Sequence, residues 1–195
     1  MAVIVTGSGG YLVQDEQALV RRTQDGDKDA FAELYEAYFD RVYRYVVVRI
    51  GNRAEAEDMT QQVFVKAYKS IPSFKWKGAP FSAWLFRIAH NLVVDFHRKE
   101  SRRPTVPLEE SLVASEDDLQ KTVERQLDVE RVMQAARRLT AAQREVISLR
   151  FAGGLAIAEV ARAMGRSEGA VKALQHSAIA SLRRILLGGE NGVER

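Results

Sequence analysis

Between Arg166 and His176 the chain gathers side chains that can read the edge of a base pair. Lys172 suits a guanine or a phosphate, Gln175 can pair with adenine, and Glu168 can accept from cytosine. Arg166, Ser167 and His176 share the stretch, and Arg183 and Arg184 follow where they suit a phosphate backbone. From 156 to 187 there are five basic residues and two acidic ones, net +3. Such side chains read duplex DNA only if one helix carries them into a major groove. The spacing supplies that helix. Ala161 is small where two steeply crossing helices touch, Gly165 accepts the positive φ of the turn, and Ser167 is a natural N-cap. Val160, Met164, Val171 and Leu174 fill the shared core. A small residue, a glycine four later and a β-branched residue six after that is helix-turn-helix spacing. The plainer alternative is a packed helix pair with a solvated face; the three key positions and the cap favour DNA.

A second cluster precedes it. Lys75 to Arg103 holds seven bases and two acids, net +5. Phe74 and Trp76 alternate with Lys75 and Lys77, a pattern that suits unstacked bases, since an aromatic platform gives about 1–3 kcal/mol per stacked base. Downstream, Arg87, Asn91, Asp95 and Arg98 fall on one polar helical face. The same pattern fits a solvated face beside a loop whose aromatics tuck into the core, and from these residues alone that plainer reading carries more weight. A third cluster, Asp58, Gln61, Gln62, Val65 and Lys69, shares a face away from the Met59-Val63-Ala67 stripe. Uncharged glutamines around a lone valine suit contact with another protein, and plain solvation fits equally.

The elements that must position these residues are helices. Phe31, Leu34, Tyr35, Tyr38, Val42, Tyr45 and Val46 recur at helical spacing over about 27–50. Further helices are expected from about 54 to 70, stopped by Pro72, and from about 81 to 99, with Pro80 tolerated at the start. Strand-like alternation is almost absent, so the fold class is all-α. Pro104 and Pro107 then break the pattern, and residues 104–128 carry seven acids against two bases, net −5. The expected layout is a flexible lead-in over 1–22, a helical domain over 23–101, a flexible acidic linker over 102–125, a second helical domain over 126–187 and a frayed tail over 188–195.

Composition excludes much else. The chain has 195 residues, no cysteine and three histidines, so thiolate zinc sites, disulfides and cysteine nucleophiles are out. His90 and His97 lie about 10.5 Å apart along a helix, too far to share a metal. No nucleophile–base pair or phosphate-cradling loop is visible; Gly7 and Gly9 fit a dinucleotide fingerprint, but its sixth position is Leu12. The expectation is no catalytic residue, no metal, no cofactor, and neither a signal peptide nor a membrane span; a cytoplasmic home fits.

Three collinear segments then carry a family resemblance: Glu57-Asp58-Met59-Thr60-Gln61-Gln62-Val63-Phe64-Val65-Lys66-Ala67-Tyr68, Phe81-Ser82-Ala83-Trp84-Leu85-Phe86-Arg87-Ile88-Ala89-His90-Asn91, and the helix-turn-helix. Together they resemble a bacterial sigma factor of the extracytoplasmic-function (ECF) group of the sigma-70 family. The resemblance implies that 23–101 is sigma region 2 and 126–187 region 4. It assigns Asp58, Gln61, Gln62, Phe64 and Val65 to binding core RNA polymerase. Phe74, Lys75, Trp76, Lys77, Arg87, Asn91, Asp95 and Arg98 would hold the melted −10 promoter element. Arg166, Ser167, Glu168, Lys172, Gln175, His176, Arg183 and Arg184 would read the −35 element as duplex. It also implies an anti-sigma partner. Leu174, Ser177 and Ile179 stand where such proteins often carry arginines. A conventional dimeric helix-turn-helix regulator is the alternative; it leaves the Asp58-Gln61-Gln62 face and the Lys75/Trp76 loop without a role.

Overall fold

The computed structural model describes residues 16–76, 80–101, 131–132 and 134–188. Among these every regular element is helical. Expectations for Lys77, the acidic linker and the tail beyond Gly188 lie outside the described residues.

The first helix, α1 (Glu16–Gln24), begins inside what the sequence suggested was a lead-in. Leu19, Val20 and Thr23 are buried, so residues 16–22 belong to the folded body. The reason is a set of polar ties: Gln24 Nε2 donates to the carbonyls of Ile71 (2.9 Å) and Phe74 (2.8 Å). Glu16 accepts from the Tyr38 hydroxyl and from the Phe81 N–H. These ties were invisible in a short segment with only one apolar pair.

The next helix, α2 (Lys28–Ile50), starts where the Asp27 carboxylate accepts the N–H groups of Asp29 and Ala30 and stops at Gly51, whose φ of 84° suits glycine. Asn52 caps α3 (Arg53–Ser70) by accepting the Glu55 N–H. A 3₁₀ turn (Ile71–Ser73) with Pro72 leads into the loop before α4 (Phe81–Glu100). Helical turns over 131–132 and 134–137 precede α5 (Ala141–Ile147), which Thr140 and Gln143 cap reciprocally. A π turn (Ser148–Ala152), α6 (Ile157–Met164) and α7 (Glu168–Gly188) complete the described elements.

Helices α2, α3 and α4 pack on one another, and α5 to α7 form a second group. The two groups also meet: α6 rests on α4, and the π turn lies on α2, so one continuous apolar core includes Leu34, Val42 and Leu85 together with Leu149, Leu155 and Val160. Gly153 is required at this seam, because a Cβ there would stand 2.7 Å from the buried Phe86 ring.

His97 makes this stability pH-sensitive. Its Nε2–H donates to the Arg49 carbonyl at 3.1 Å. Burial, then the charge of Arg49, lower its pKa from 6.5, with Arg144 adding to this and Glu145 opposing it. The folded state therefore favours neutral His97. The unfolded chain binds more protons just below 6.5, so stability is full above that value and declines as pH falls through it. Melting temperatures measured between about pH 8 and about pH 5 should fall on acidification, and His97→Gln should flatten that dependence.

Candidate functional site

Three surfaces carry the residues singled out by sequence. The first is the helix-turn-helix. Gly165 sits at φ 64°, in the left-handed region that a β-carbon disfavours. The turn is closed by the Arg166 N–H donating to the Ala161 carbonyl at 2.8 Å. Ser167 Oγ accepts the Ala170 N–H at 3.2 Å, as a cap should. Ala161, Val160 and Val171 are buried, with Met164 and Leu174 half-buried beside them. Arg166, Ser167, Glu168, Lys172, His176, Arg183 and Arg184 all face solvent. Gln175 differs from the expectation. It is half-buried, and its Oε1 accepts from Arg150 Nε at 3.1 Å. Arg150 also donates to the Leu155 carbonyl, so Gln175 helps fix the π turn against α7.

The second surface is α4 and the loop before it. Arg87, Asn91 and Arg98 are exposed, while Asp95 is half-buried and pairs with Arg98 at 3.1 Å. In the loop the two rings are placed differently. Phe74 is half-buried, with ring centroids 4.9 Å from Trp84 and 6.1 Å from Phe81. It acts as an anchor and is a poor stacking platform. Trp76 rests edge-on against Phe74 at 5.7 Å and remains exposed beside Lys75.

The third surface is the outer face of α3. Asp58, Gln61, Gln62 and Val65 are exposed, Val65 at 52%. An apolar side chain that exposed among glutamines suits a protein partner. Phe64, beside the Met59-Val63-Ala67 stripe, is only 4% exposed, with its ring 4.6 Å from Tyr35. One residue on from Val63, it points inward and seats α3 on α2.

Sequence reasoning missed a fourth feature, at the seam. Glu145 on α5 is 3% exposed. Tyr45 donates its hydroxyl proton to Glu145 Oε1 at 2.6 Å. His90 Nδ1 lies 2.8 Å from the same oxygen, and Arg49 Nε lies 3.0 Å from Oε2. Burial alone would raise the Glu145 carboxyl, but the adjoining His90 ring and the Arg49 charge outweigh it and hold the group below 4.5. Tyr45 is pushed well above its usual 10.0 by burial and by the Glu145 charge, so it stays a donor. One signal was available: Glu145 stands four residues from both Ala141 and Leu149, an acid on an otherwise apolar face. No group of His, Cys, Asp or Glu among the described residues is arranged to hold a metal.

Comparisons with known proteins follow this geometry. The model of Sigma-70 region 2 matches residues 34–103, covering the second and third surfaces, and that of Sigma-70, region 4 matches 135–184, covering the first through Arg184. ECF RNA polymerase sigma factor BldN of Streptomyces coelicolor is 43% identical over 170 residues, 86% of this chain and 64% of that protein. ECF RNA polymerase sigma factor SigD of Mycobacterium tuberculosis is 33% identical over 173 residues, 85% of this chain and 81% of that protein. The chain belongs to the ECF sigma factors. Among solved structures, the sigma factor RpoE in complex with the anti-sigma factor NepR from Bartonella quintana superimposes with a TM-score of 0.61 at 25% identity, over 85% of this chain and 98% of that one. For this ECF sigma factor the region 2 match also decides against the dimeric regulator. The residues such a protein would give to a dimer or ligand domain are those that match region 2. No helix among the described residues is long and apolar enough to cross a membrane.

Proposed function

We infer that this ECF sigma factor is a promoter-specificity subunit without catalysis of its own, acting in the cytoplasm where core RNA polymerase works. The observation that carries the reading is that one chain presents three exposed surfaces of different chemistry. The α3 face with Asp58, Gln61, Gln62 and the exposed Val65 suits core polymerase. The α4 face with Arg87, Asn91 and Arg98, together with Lys75 and Trp76, suits a melted −10 strand, whose unstacked base Trp76 can support. The capped α7 terminus with Arg166, Ser167, Glu168, Lys172 and His176 suits the major groove of the −35 duplex. Lys172, Arg183 and Arg184 add the phosphate contacts that position the helix. The solved relative captured with an anti-sigma factor supports a partner of that kind here as well.

Asn91→Ala tests the assignment of the α4 face. Asn91 is exposed, so its loss should leave the fold and core binding unchanged. Promoter opening, followed by permanganate reactivity of the melted strand, should fall on the order of tenfold or more, as expected for one lost base contact. Loss of core binding in this variant would show that the face is misassigned.

A further inference from the structure

Helix α1 belongs to none of the three surfaces, yet its two ends hold the loop before α4 at both of that loop's ends. A glutamine amide carries two N–H donors in a fixed fork. Gln24 Nε2 donates to the Ile71 carbonyl (2.9 Å) and to the Phe74 carbonyl (2.8 Å). The Ile71 carbonyl also accepts the Phe74 N–H at 3.0 Å, so the 3₁₀ turn is tied within itself and to α1. With the Phe74 carbonyl held, the peptide that leads into Lys75 keeps one orientation. At the far end, Pro80 precedes α4 and offers no capping side chain. The Phe81 N–H is one of the donors that a first helical turn leaves unpaired. Glu16 accepts it at 3.3 Å and accepts the buried Tyr38 hydroxyl as well.

The helix that carries both side chains is itself fixed. Leu19 and Val20 are buried in the core, and Thr23 donates to the Leu19 carbonyl at 2.8 Å. Arg22 pairs with Asp27, the cap of α2, at 2.7 Å. The ties therefore hold the loop to a firm support. Between them stand the groups that the −10 reading needs. Phe74 leans on Phe81 and Trp84, and the exposed Trp76 rests edge-on against Phe74. A stacking platform that is ordered before the strand arrives loses less freedom on binding.

We propose that Gln24 and Glu16 are positioning residues for promoter opening: they order the Ile71–Trp76 segment and the start of α4 in advance, so that Trp76 and Asn91 meet the same unpaired strand. The proposal rests on the promoter-specificity reading above. Both act through the loop and α4 and make no contact with DNA. Losing the ties should weaken capture of an unpaired strand while sparing core binding through α3, whose exposed face lies on another helix.

Gln24→Met keeps the length of the side chain and removes both donors. Glu16→Ala removes the acceptor for Phe81, and Glu16→Gln restores a carbonyl there. Holoenzyme assembled with the unmutated chain selects from a randomised single-stranded DNA pool, and the enriched oligonucleotide is the probe for every variant. Gln24→Met should bind it on the order of tenfold more weakly, as expected for two lost hydrogen bonds. Glu16→Ala should weaken it too, Glu16→Gln should stay close to the unmutated chain, and co-elution with core polymerase should persist in all three. A second readout reports the loop itself. The chain has two tryptophans, so fluorotryptophan labelling gives two fluorine resonances, assigned with Trp76→Phe. In the full-length free protein, Gln24→Met should narrow the Trp76 resonance and move it toward that of free fluorotryptophan, with Trp84 moving less. An unmoved Trp76 resonance, an unchanged oligonucleotide affinity, or an equal loss of core binding in Gln24→Met would each overturn the proposal. If the unmutated holoenzyme enriches no sequence, the promoter reading fails, and the Trp76 resonance still decides whether α1 orders the loop.

Discussion

Alanine at Lys172, Arg183 and Arg184 together should make promoter binding by the holoenzyme both weaker and less sensitive to salt. All three side chains are exposed on α7, so the helix should survive their loss. Each lysine or arginine that neutralises a phosphate releases a condensed counterion, and log K falls with log salt by about 0.9 per contact. Removing three contacts should make that slope shallower by about 2.7. The measurement is a salt series with assembled holoenzyme on duplex carrying the −35 element. An unchanged slope would mean that these residues do not face the phosphates. The position of Arg183 and Arg184, three turns beyond Lys172, makes them a direct test of how α7 lies along the groove.

The second large effect concerns the anchor of the −10 loop. Phe81 is almost fully buried at the first position of α4. Its ring centroid lies 5.3 Å from Trp84, 5.6 Å from Tyr38 and 6.1 Å from Phe74. Phe81→Ala should cost about 3–5 kcal/mol from lost burial and the cavity left behind, lowering the melting temperature on the order of 10 °C. Because Phe74 leans on Phe81 and Trp76 leans on Phe74, the loop should loosen with the core. Promoter opening should then suffer more than co-elution with core polymerase, whose contact face on α3 lies elsewhere. Equal loss of both at a temperature where the variant remains folded would count against a positioning role for this aromatic chain.

The sequence was most informative where one local rule acts alone. Gly165 and Ser167 fixed the helix-turn-helix because a positive φ and a capping oxygen are demands of single residues, independent of the rest of the fold. The end of α3 and the start of α4 followed from Pro72 and Pro80 for the same reason. Site residues were less legible where helical period alone had to decide direction. Phe64 and Gln61 are neighbours on one helix face within the resolution of a 100° step, yet Phe64 is buried against Tyr35 while Gln61 is exposed. The contact of Gln175 was not legible because its partner, Arg150, is 25 residues away and nothing local shows it. Of the seam only Glu145, an acid on an apolar helix face, left a trace in the sequence. Tyr45 counts as part of an apolar stripe and Arg49 as the end of a helix until α5 brings Glu145 between them, a pairing 100 residues apart in the chain. For α1, too, stability comes from distant partners, Ile71, Phe74 and Phe81, so its own pattern is weak.

The central claim is that this chain serves core RNA polymerase, and one mixing experiment addresses it. Purified protein and bacterial core polymerase are combined and separated by size exclusion, alongside a variant with Asp58→Ala and Gln61→Ala. Both residues are exposed, so the variant should fold as the parent does. The account predicts co-elution of the parent at one-to-one stoichiometry and its loss in the double variant. A parent chain that elutes apart from polymerase as a clean dimer would contradict the account and restore the reading as a conventional DNA-binding regulator.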